Sequence, residues 1–359
     1  MILLNPGPVR LSPRVRNAMQ SPELCHREPE FAALQESVRA QLLAVYGLDP
    51  RRWSAVLLTG SGTAAVEAML ISLVPQDGRL LTLENGVYGE RMSYIALTHG
   101  IAGDAVRTSW SEALSIADVR EAIARHPRTT HLAVVHHETT TGRLNRIDAL
   151  ADLCRERGIR LLLDAVSSFG AESIGFDTWG LAACAGTAGK CLHGVPGLAF
   201  VIVDRESLAS ACRPPRSAYL DLVRHATDQE SGGTAFTPAI PAYHALHASL
   251  LELEEDGGWR ARRQRYATLA GRIGDELVAL GVEPYVDPVA CSAALRSYRL
   301  PDGIGYAELH DQLKQRGFVI YAGQGGLEKI LFRVSTLGEI SDADVQRFVQ
   351  ALREIVPPK

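Results

Sequence analysis

Residues 160–190 read RLLLDAVSSFGAESIGFDTWGLAACAGTAGK, and the fold turns on how they are read. Leu161, Leu162 and Leu163 form a short apolar run that ends in an acid, Asp164. A run apolar on both faces fits a buried parallel strand, which delivers the carboxylate at its C-terminal end, where open α/β sheets hold their ligands. Residues 181–184 read as a second buried strand, running into small residues and then Lys190. Small residues let backbone and ligand approach closely, so this lysine belongs in a crowded, partly dry place. An ammonium there is costly unless it is neutral, paired or covalently modified. A solvated lysine and an ordinary strand-end aspartate would leave the same letters, so the surrounding chain has to choose between the readings.

Upstream, residues 53–58 read as a strand, followed by the turn Thr59 to Thr63 and an alanine-rich helix. Free N–H groups at that helix start, with the hydroxyls of Ser61 and Thr63, would cradle a phosphate. The turn is not a Walker A loop, because no Gly-Lys-Ser/Thr follows it. Residues 79–84 and 131–137 are further strands. The first runs into NGVYGERM, where Tyr88 either stacks on a planar ring or simply packs. The second runs into ETTTG, whose Thr139, Thr140 and Thr141 hydroxyls either bond a ring substituent or phosphate or only furnish a polar turn. A helix over 28–46 shows Phe31, Leu34, Val38, Leu42 and Val45 on one face, and Ile147, Leu150, Leu153 and Cys154 mark another. Repeated strand–helix alternation predicts an α/β fold: a mainly parallel sheet with helices on both faces. His136, His137 and Glu138 do not read as a metal site, since successive strand side chains point to opposite faces; no metal is expected.

Downstream, residues 198–203 are another buried strand, while 212–237 are polar and poorly patterned, expected as loop around the site or as a subunit contact. Helical periodicity resumes at Pro241, breaks at Gly257-Gly258 and continues over 259–280. Strands over 293–299, 319–321 and 330–334, a helix over 306–316, a glycine loop over 323–326 and a last helix form a small α+β domain. The expected division is an N-terminal arm (1–20), a large domain (21–257) and a small C-terminal domain (258–359). Arg333 lies between Phe332 and Val334; its planar fork suits a carboxylate or phosphonate, and an internal salt bridge is the other reading.

The chain has 359 residues, 46% of them hydrophobic and 22% charged, as an ordinary soluble two-domain protein would. A formal net charge of −4 without blocks of like charge argues against nucleic acid or anionic membrane as the main partner. No apolar run approaches the roughly 18 residues of a spanning helix, and MILLNPGPVR lacks a signal-peptide layout. Six scattered cysteines without a CxxC pair fit reduced thiols in the cytoplasm.

An acid after one strand and a lysine after the next is what a pyridoxal phosphate (PLP) enzyme needs: the acid keeps the ring nitrogen protonated and the lysine forms the Schiff base. SGT before a helix, NGVYG, ETTTG, DAVSSFG, GKCLHGVPG, FTP and FRV-x-x-LG follow in one order over nearly the whole chain. That series resembles the class V aminotransferases of PLP fold type I. The likeness is greatest to the branch acting on 2-aminoethylphosphonate and pyruvate, with the alanine–glyoxylate and serine–pyruvate branches next. The resemblance implies a seven-stranded type of sheet, Lys190 as the Schiff-base lysine and Asp164 as the partner of the ring nitrogen. It further implies Val166 on one ring face, Tyr88 on the other, Ser61, Gly62 and Thr63 around the phosphate, and Thr140 near the ring oxygen. Arg333 would hold the keto acid's carboxylate, and Thr237 would reach the phosphate of a second subunit, hence a homodimer. The implied reaction is a ping-pong transfer from a small-molecule amino donor to a keto acid. With 2-aminoethylphosphonate and pyruvate, it gives phosphonoacetaldehyde and alanine. Cys191 is poorly placed for a desulfurase role, being adjacent to the lysine that would hold the substrate.

Three positions depart from the family pattern. Gly189 stands where an amide that helps hold phosphate is usual, and Ala235 where the phosphonate branch carries an arginine before Phe-Thr-Pro. The branch's RSLSLDL segment reads RSAYLDL over 216–222. The first departure bears on phosphate binding, the other two on the amino donor.

Overall fold

The structure, a computed structural model, describes residues 1–356. Its main sheet has seven strands: β1 (Trp53–Gly60), β2 (Leu80–Glu84), β3 (Gly103–Arg107), β4 (His131–Val135), β5 (Arg160–Asp164), β6 (Leu181–Thr187) and β7 (Gly197–Asp204). Their order across the sheet is β1-β7-β6-β5-β4-β2-β3. The run from β6 to β3 is parallel throughout, and only β7 opposes its neighbours, β6 and β1. The reason is local. Parallel neighbours need a crossover helix, and residues 188–196 between β6 and β7 contain none, so the chain returns antiparallel. That return loop carries Lys190, which is thereby held at the C-terminal end of β6.

Strand side chains alternate between two apolar layers. Leu132, Val134, Leu161, Leu163 and Phe200 pack with Phe31, Leu42, Leu150 and Leu246 from helices on one face. Ala133, Val135, Leu162, Ala185 and Val201 pack with Ala65, Met69, Met92 and Ile95 from Gly62–Leu73 and Val87–Thr98 on the other. Each buried leucine of β5 contributes about 1.5–3 kcal/mol relative to exposure, which explains an unbroken LLL run on a strand covered on both sides.

C-terminal strands Leu295–Arg299, Leu331–Ser335 and Tyr321–Ala322 form an antiparallel sheet with Leu331–Ser335 in the middle. Helices Gly258–Ala279, Tyr306–Gln315 and Asp342–Ile355 share a core with it that includes Ile273, Leu309, Phe332 and Phe348. The N-terminal arm belongs to this core as well. Ile2–Leu3 pairs in parallel with Phe318–Val319, and Ile2 and Leu4 are buried in the cluster.

Several elements differ from the sequence expectation, among them the strand expected over 131–137, which ends at Val135 before a separate hairpin of His137–Glu138 with Arg143–Leu144. The strand expected over 319–321 is split, with Phe318–Val319 joined to the arm and Tyr321–Ala322 to Leu331–Ser335. β3 was unexpected: it is an edge strand with a single buried residue, Val106, and so has no alternation to read. The polar stretch 212–237 contains the helix Leu222–Glu230, capped by Asp221. Its inward positions include His225 and Gln229, so the helix buries polar groups and leaves no apolar stripe in the sequence.

Candidate active site

β5 ends at Asp164, which is 6% exposed and accepts a hydrogen bond from the Val166 N–H at 2.9 Å. Asp164 lies opposite Ala185 of β6, and the chain continues from there to Lys190. The Lys190 Nζ donates to the carbonyl of Pro6, in the N-terminal arm. Gly7 makes that contact possible. Its φ is +125°, and a Cβ there would sit 3.1 Å from the Lys190 Cδ, Cε and Nζ atoms. Burial brings Lys190 down to about 8; Cys191 and Asp164 raise it, while Arg333 and Arg91 lower it further. Burial pushes Asp164 up to about 6, against the Val166 N–H and the positive charges of Arg91 and Lys190. Asp164 is buried and Lys190 half-buried, and both follow from the C-terminal ends of the paired strands β5 and β6.

Beside them, the turn after β1 starts the helix Gly62–Leu73, with Ser61 as an N-cap whose side chain makes no capping bond. A Cβ at Gly62 would lie 2.6 and 2.9 Å from the two Val166 methyl groups. The glycine therefore lets the helix start close against the residue that follows β5. Thr63 Oγ1 accepts from Arg91 Nη1 at 3.3 Å, and the Arg91 guanidinium lies 4.7 Å from the Tyr88 ring centroid.

Tyr88 opens the helix Val87–Thr98, whose Gly86 N-cap offers no side chain. Its caps come from the ETTTG turn. Val87 N–H donates to Thr140 Oγ1 at 3.0 Å, and the Tyr88 and Gly89 N–H groups donate to Glu138 Oε2 at 3.2 and 3.3 Å. Glu138 Oε1 accepts from the Thr140 N–H at 3.1 Å and from its hydroxyl at 2.6 Å. Gly86 must be glycine here, because a Cβ would run into the Glu138 side chain. Burial raises Glu138 to about 7; the Thr140 and Gly89 bonds oppose the rise and Asp164 adds to it. Glu138 is the residue the sequence reading passed over: its letters show an acid beside two histidines, and only tertiary contact reveals the helix start it caps.

The Thr140 hydroxyl, expected near a ring oxygen, thus donates to Glu138 and accepts from Val87. Its neighbours Thr139 and Thr141 have buried hydroxyls without partners among the described residues, and His137 Nε2 is likewise unpartnered. Buried polar groups are as a rule hydrogen-bonded, so these three atoms are open to a further partner. His136 and His137 bond different groups, the Ser168 hydroxyl and the Ser167 carbonyl.

Arg333 sits on the middle C-terminal strand and reaches the same turn. Its Nε donates to the Ala322 carbonyl at 2.9 Å, and its Nη1 to the Thr139 carbonyl at 2.8 Å and Gln324 Oε1 at 3.0 Å. Among the described residues no carboxylate pairs with it and Nη2 has no partner, so the internal salt-bridge reading does not hold. Burial lowers its pKa, which the nearby Tyr88, Tyr306 and Glu138 partly offset. Thr237 is exposed, on a segment anchored at the end of β1 by the bonds Ala239 N–H to Thr59 Oγ1 (3.1 Å) and Tyr219 Oη to the Thr59 carbonyl (3.2 Å). Arg216, from the divergent RSAYLDL segment, is spent on the carbonyls of Ile71, Val74 and Pro75.

The aminotransferase class-V family matches residues 14–340. The chain is 36% identical over 353 residues to a 2-aminoethylphosphonate–pyruvate transaminase of Lactiplantibacillus plantarum, covering 97% of this chain and 96% of the relative. It is 38% identical over 358 residues to the enzyme of that name from Burkholderia ambifaria, covering 98% and 95%. Among solved structures, a subgroup IV aspartate aminotransferase from Thermus thermophilus superposes with a TM-score of 0.89 at 30% identity, covering 99% of both chains. An alanine–glyoxylate aminotransferase from Nostoc sp. superposes with a TM-score of 0.91 at 26% identity, covering 99% of this chain and 94% of that one. A match running through both sheets and every site element except the N-terminal arm, on a fold shared with solved aminotransferases, makes this chain a member of the class-V aminotransferases, which depend on pyridoxal phosphate.

Proposed function

We propose that the chain moves the amino group of 2-aminoethylphosphonate to pyruvate, giving phosphonoacetaldehyde and alanine, with PLP as its cofactor. Relatives bearing that activity in their names, at 33–38% identity over nearly the full chain, support the reading. The observation that carries it is a buried carboxyl and a lysine at the C-terminal ends of the neighbouring strands β5 and β6, beside a glycine-opened helix start and an arginine without a carboxylate.

The residues present fit the cofactor. Asp164 would pair with its ring nitrogen, Lys190 would hold its aldehyde carbon, and Val166 and Tyr88 would flank the ring. The N–H groups that open Gly62–Leu73, with Ser61 and Thr63, would take its phosphate, and the orphaned Thr139 hydroxyl is available to the ring's oxygen. When bound, PLP supplies the electron sink that lets a carbon bearing an amino group lose its proton. The protein does the rest. With a pKa near 8, about a tenth of Lys190 is neutral at pH 7, so its Nζ can bond covalently and later carry the proton off the donor carbon. Arg333 would use its free Nη2 on the keto acid's carboxylate. The arm, at Pro6 and Gly7, lies against the lysine, which stays half-buried. Thr237, exposed at the end of β1, is where a second subunit's phosphate would be met in a homodimer, and we place the protein in the cytoplasm. No helix among the described residues is long and apolar enough to cross a membrane.

Ala235 favours a second reading, an alanine–glyoxylate or serine–pyruvate aminotransferase, because the arginine usual there in the phosphonate branch is missing. A panel of 2-aminoethylphosphonate, alanine and serine against pyruvate and glyoxylate decides between them. The expected result is fastest alanine formation from the phosphonate and pyruvate, and no turnover by Lys190→Ala. A variant that keeps full turnover without Lys190 would end the scheme; preference for alanine with glyoxylate would select the second reading.

A further inference from the structure

The turn at residues 61–63 carries no charge of its own. Its donors are the N–H groups opening Gly62–Leu73 and the hydroxyls of Ser61 and Thr63, all neutral. Position 189 adds no side chain, and the Lys190 ammonium is turned to the Pro6 carbonyl. A phosphate-type dianion held by neutral donors alone, in a partly dry place, would keep most of its charge uncompensated. One guanidinium touches this turn. Arg91 Nη1 lies 3.3 Å from Thr63 Oγ1, and its guanidinium lies over the Tyr88 ring, 4.7 Å from the centroid. Among the described residues no carboxylate pairs with Arg91. Its charge is nonetheless felt at both reacting groups, lowering the pKa of Asp164 and of Lys190. A long bond to a neutral hydroxyl is a poor use of a fork shaped for oxyanions.

We propose that Arg91 is the cation of this turn and closes its fork on a tetrahedral phosphorus dianion, from either the cofactor's phosphate or the donor's phosphonate. The inference rests on the reading that PLP lies over residues 61–63. Cofactor-free wild type and Arg91→Gln are titrated with PLP and with pyridoxal, which lacks the phosphate, following fluorescence; steady-state KM values are then taken for 2-aminoethylphosphonate and pyruvate. Loss of a charge-assisted fork should weaken PLP about 10- to 100-fold and leave pyridoxal within about twofold, which assigns the dianion to the cofactor. Unchanged PLP binding with a similar rise in KM for the phosphonate, and none for pyruvate, assigns it to the donor. Equal weakening of PLP and pyridoxal would overturn the proposal, since it would show that Arg91 only props Tyr88; no change in any of the four would overturn it too. Should Arg91→Gln fail to fold, Arg91→Lys keeps a charge without the fork, and the ratio of PLP to pyridoxal affinity must still fall. Wild type that binds neither compound would instead refute the cofactor reading itself.

Discussion

Replacing Glu138 by glutamine tests how the site's aromatic is held in place. The carboxylate receives four hydrogen bonds, two from the N–H groups of Tyr88 and Gly89 and two from Thr140. An amide has only one oxygen. Facing either side, it sets its NH2 against at least one buried N–H, at about 1–3 kcal/mol for each donor left unpaired. With its oxygen kept on the Tyr88 and Gly89 N–H groups the amide orphans only the Thr140 N–H, at about 1–3 kcal/mol, and turned the other way it orphans both helix N–H groups, at about 2–6 kcal/mol. Amide exchange, followed by mass spectrometry, should accelerate about 30-fold for 2 kcal/mol at residue 140 in the first orientation or at residues 87–89 in the second. The pH dependence has a definite sign. Burial raises the folded-state pKa of Glu138 from 4.5 to about 7, so the folded chain binds this proton more tightly than the unfolded one. Stability from the group is full below about pH 4.5 and is lost as pH rises through about 7, worth about 3 kcal/mol in all. The stability gap between wild type and Glu138→Gln should therefore be widest near pH 5 and narrow by pH 8. Unchanged exchange at residues 87–89 and at residue 140, together with a gap that does not vary with pH, would refute the reasoning.

Asp164→Asn should abolish transamination yet stabilise the cofactor-free protein at pH 7. The buried carboxyl's pKa is raised from 3.8 to about 6, so ionising it costs the folded chain about 3 kcal/mol above that pH, and asparagine can still accept from Val166. Thermal melts of the cofactor-free proteins should diverge between pH 4 and 6, and a variant no more stable at pH 7 would count against the buried-acid account. Gly62→Ala drives a methyl to 2.6 Å from Val166; it should cost about 1–3 kcal/mol and weaken PLP binding, with partial rescue by Val166→Ala in a double-mutant cycle. Arg333→Gln should lower kcat/KM for pyruvate about 100-fold, read by steady-state kinetics with lactate dehydrogenase as a competing pyruvate consumer left out. An unaltered value would remove Arg333 from the site.

How far the chain's own letters reached can be judged from particular residues. Leu161 to Asp164 and Leu181 to Lys190 declared buried parallel strands and a strand-end acid and amine, because strands covered on both faces can hold only apolar residues and charges must wait for their ends. The glycine turn before an alanine-rich helix was equally plain, since backbone conformation and helix propensity are local properties. Arg333 was flagged by its apolar neighbours, yet nothing local told a ligand-binding arginine from an internally paired one. Packing onto Thr139 and Ala322, with no carboxylate beside it among the described residues, excludes only the internal pair.

Other features belong to the tertiary structure alone. Glu138 caps a helix that begins some fifty positions earlier, and Thr140 spends its hydroxyl on the same task. The arm's first residues become a strand only because Phe318–Val319 offers them an edge. Helix Leu222–Glu230 turns His225 and Gln229 inward, where partners such as the Leu57 backbone satisfy Gln229. The division follows from range: a strand's burial and a turn's geometry are written into adjacent residues, whereas a polar atom's partner is decided by whichever distant segment the fold brings against it.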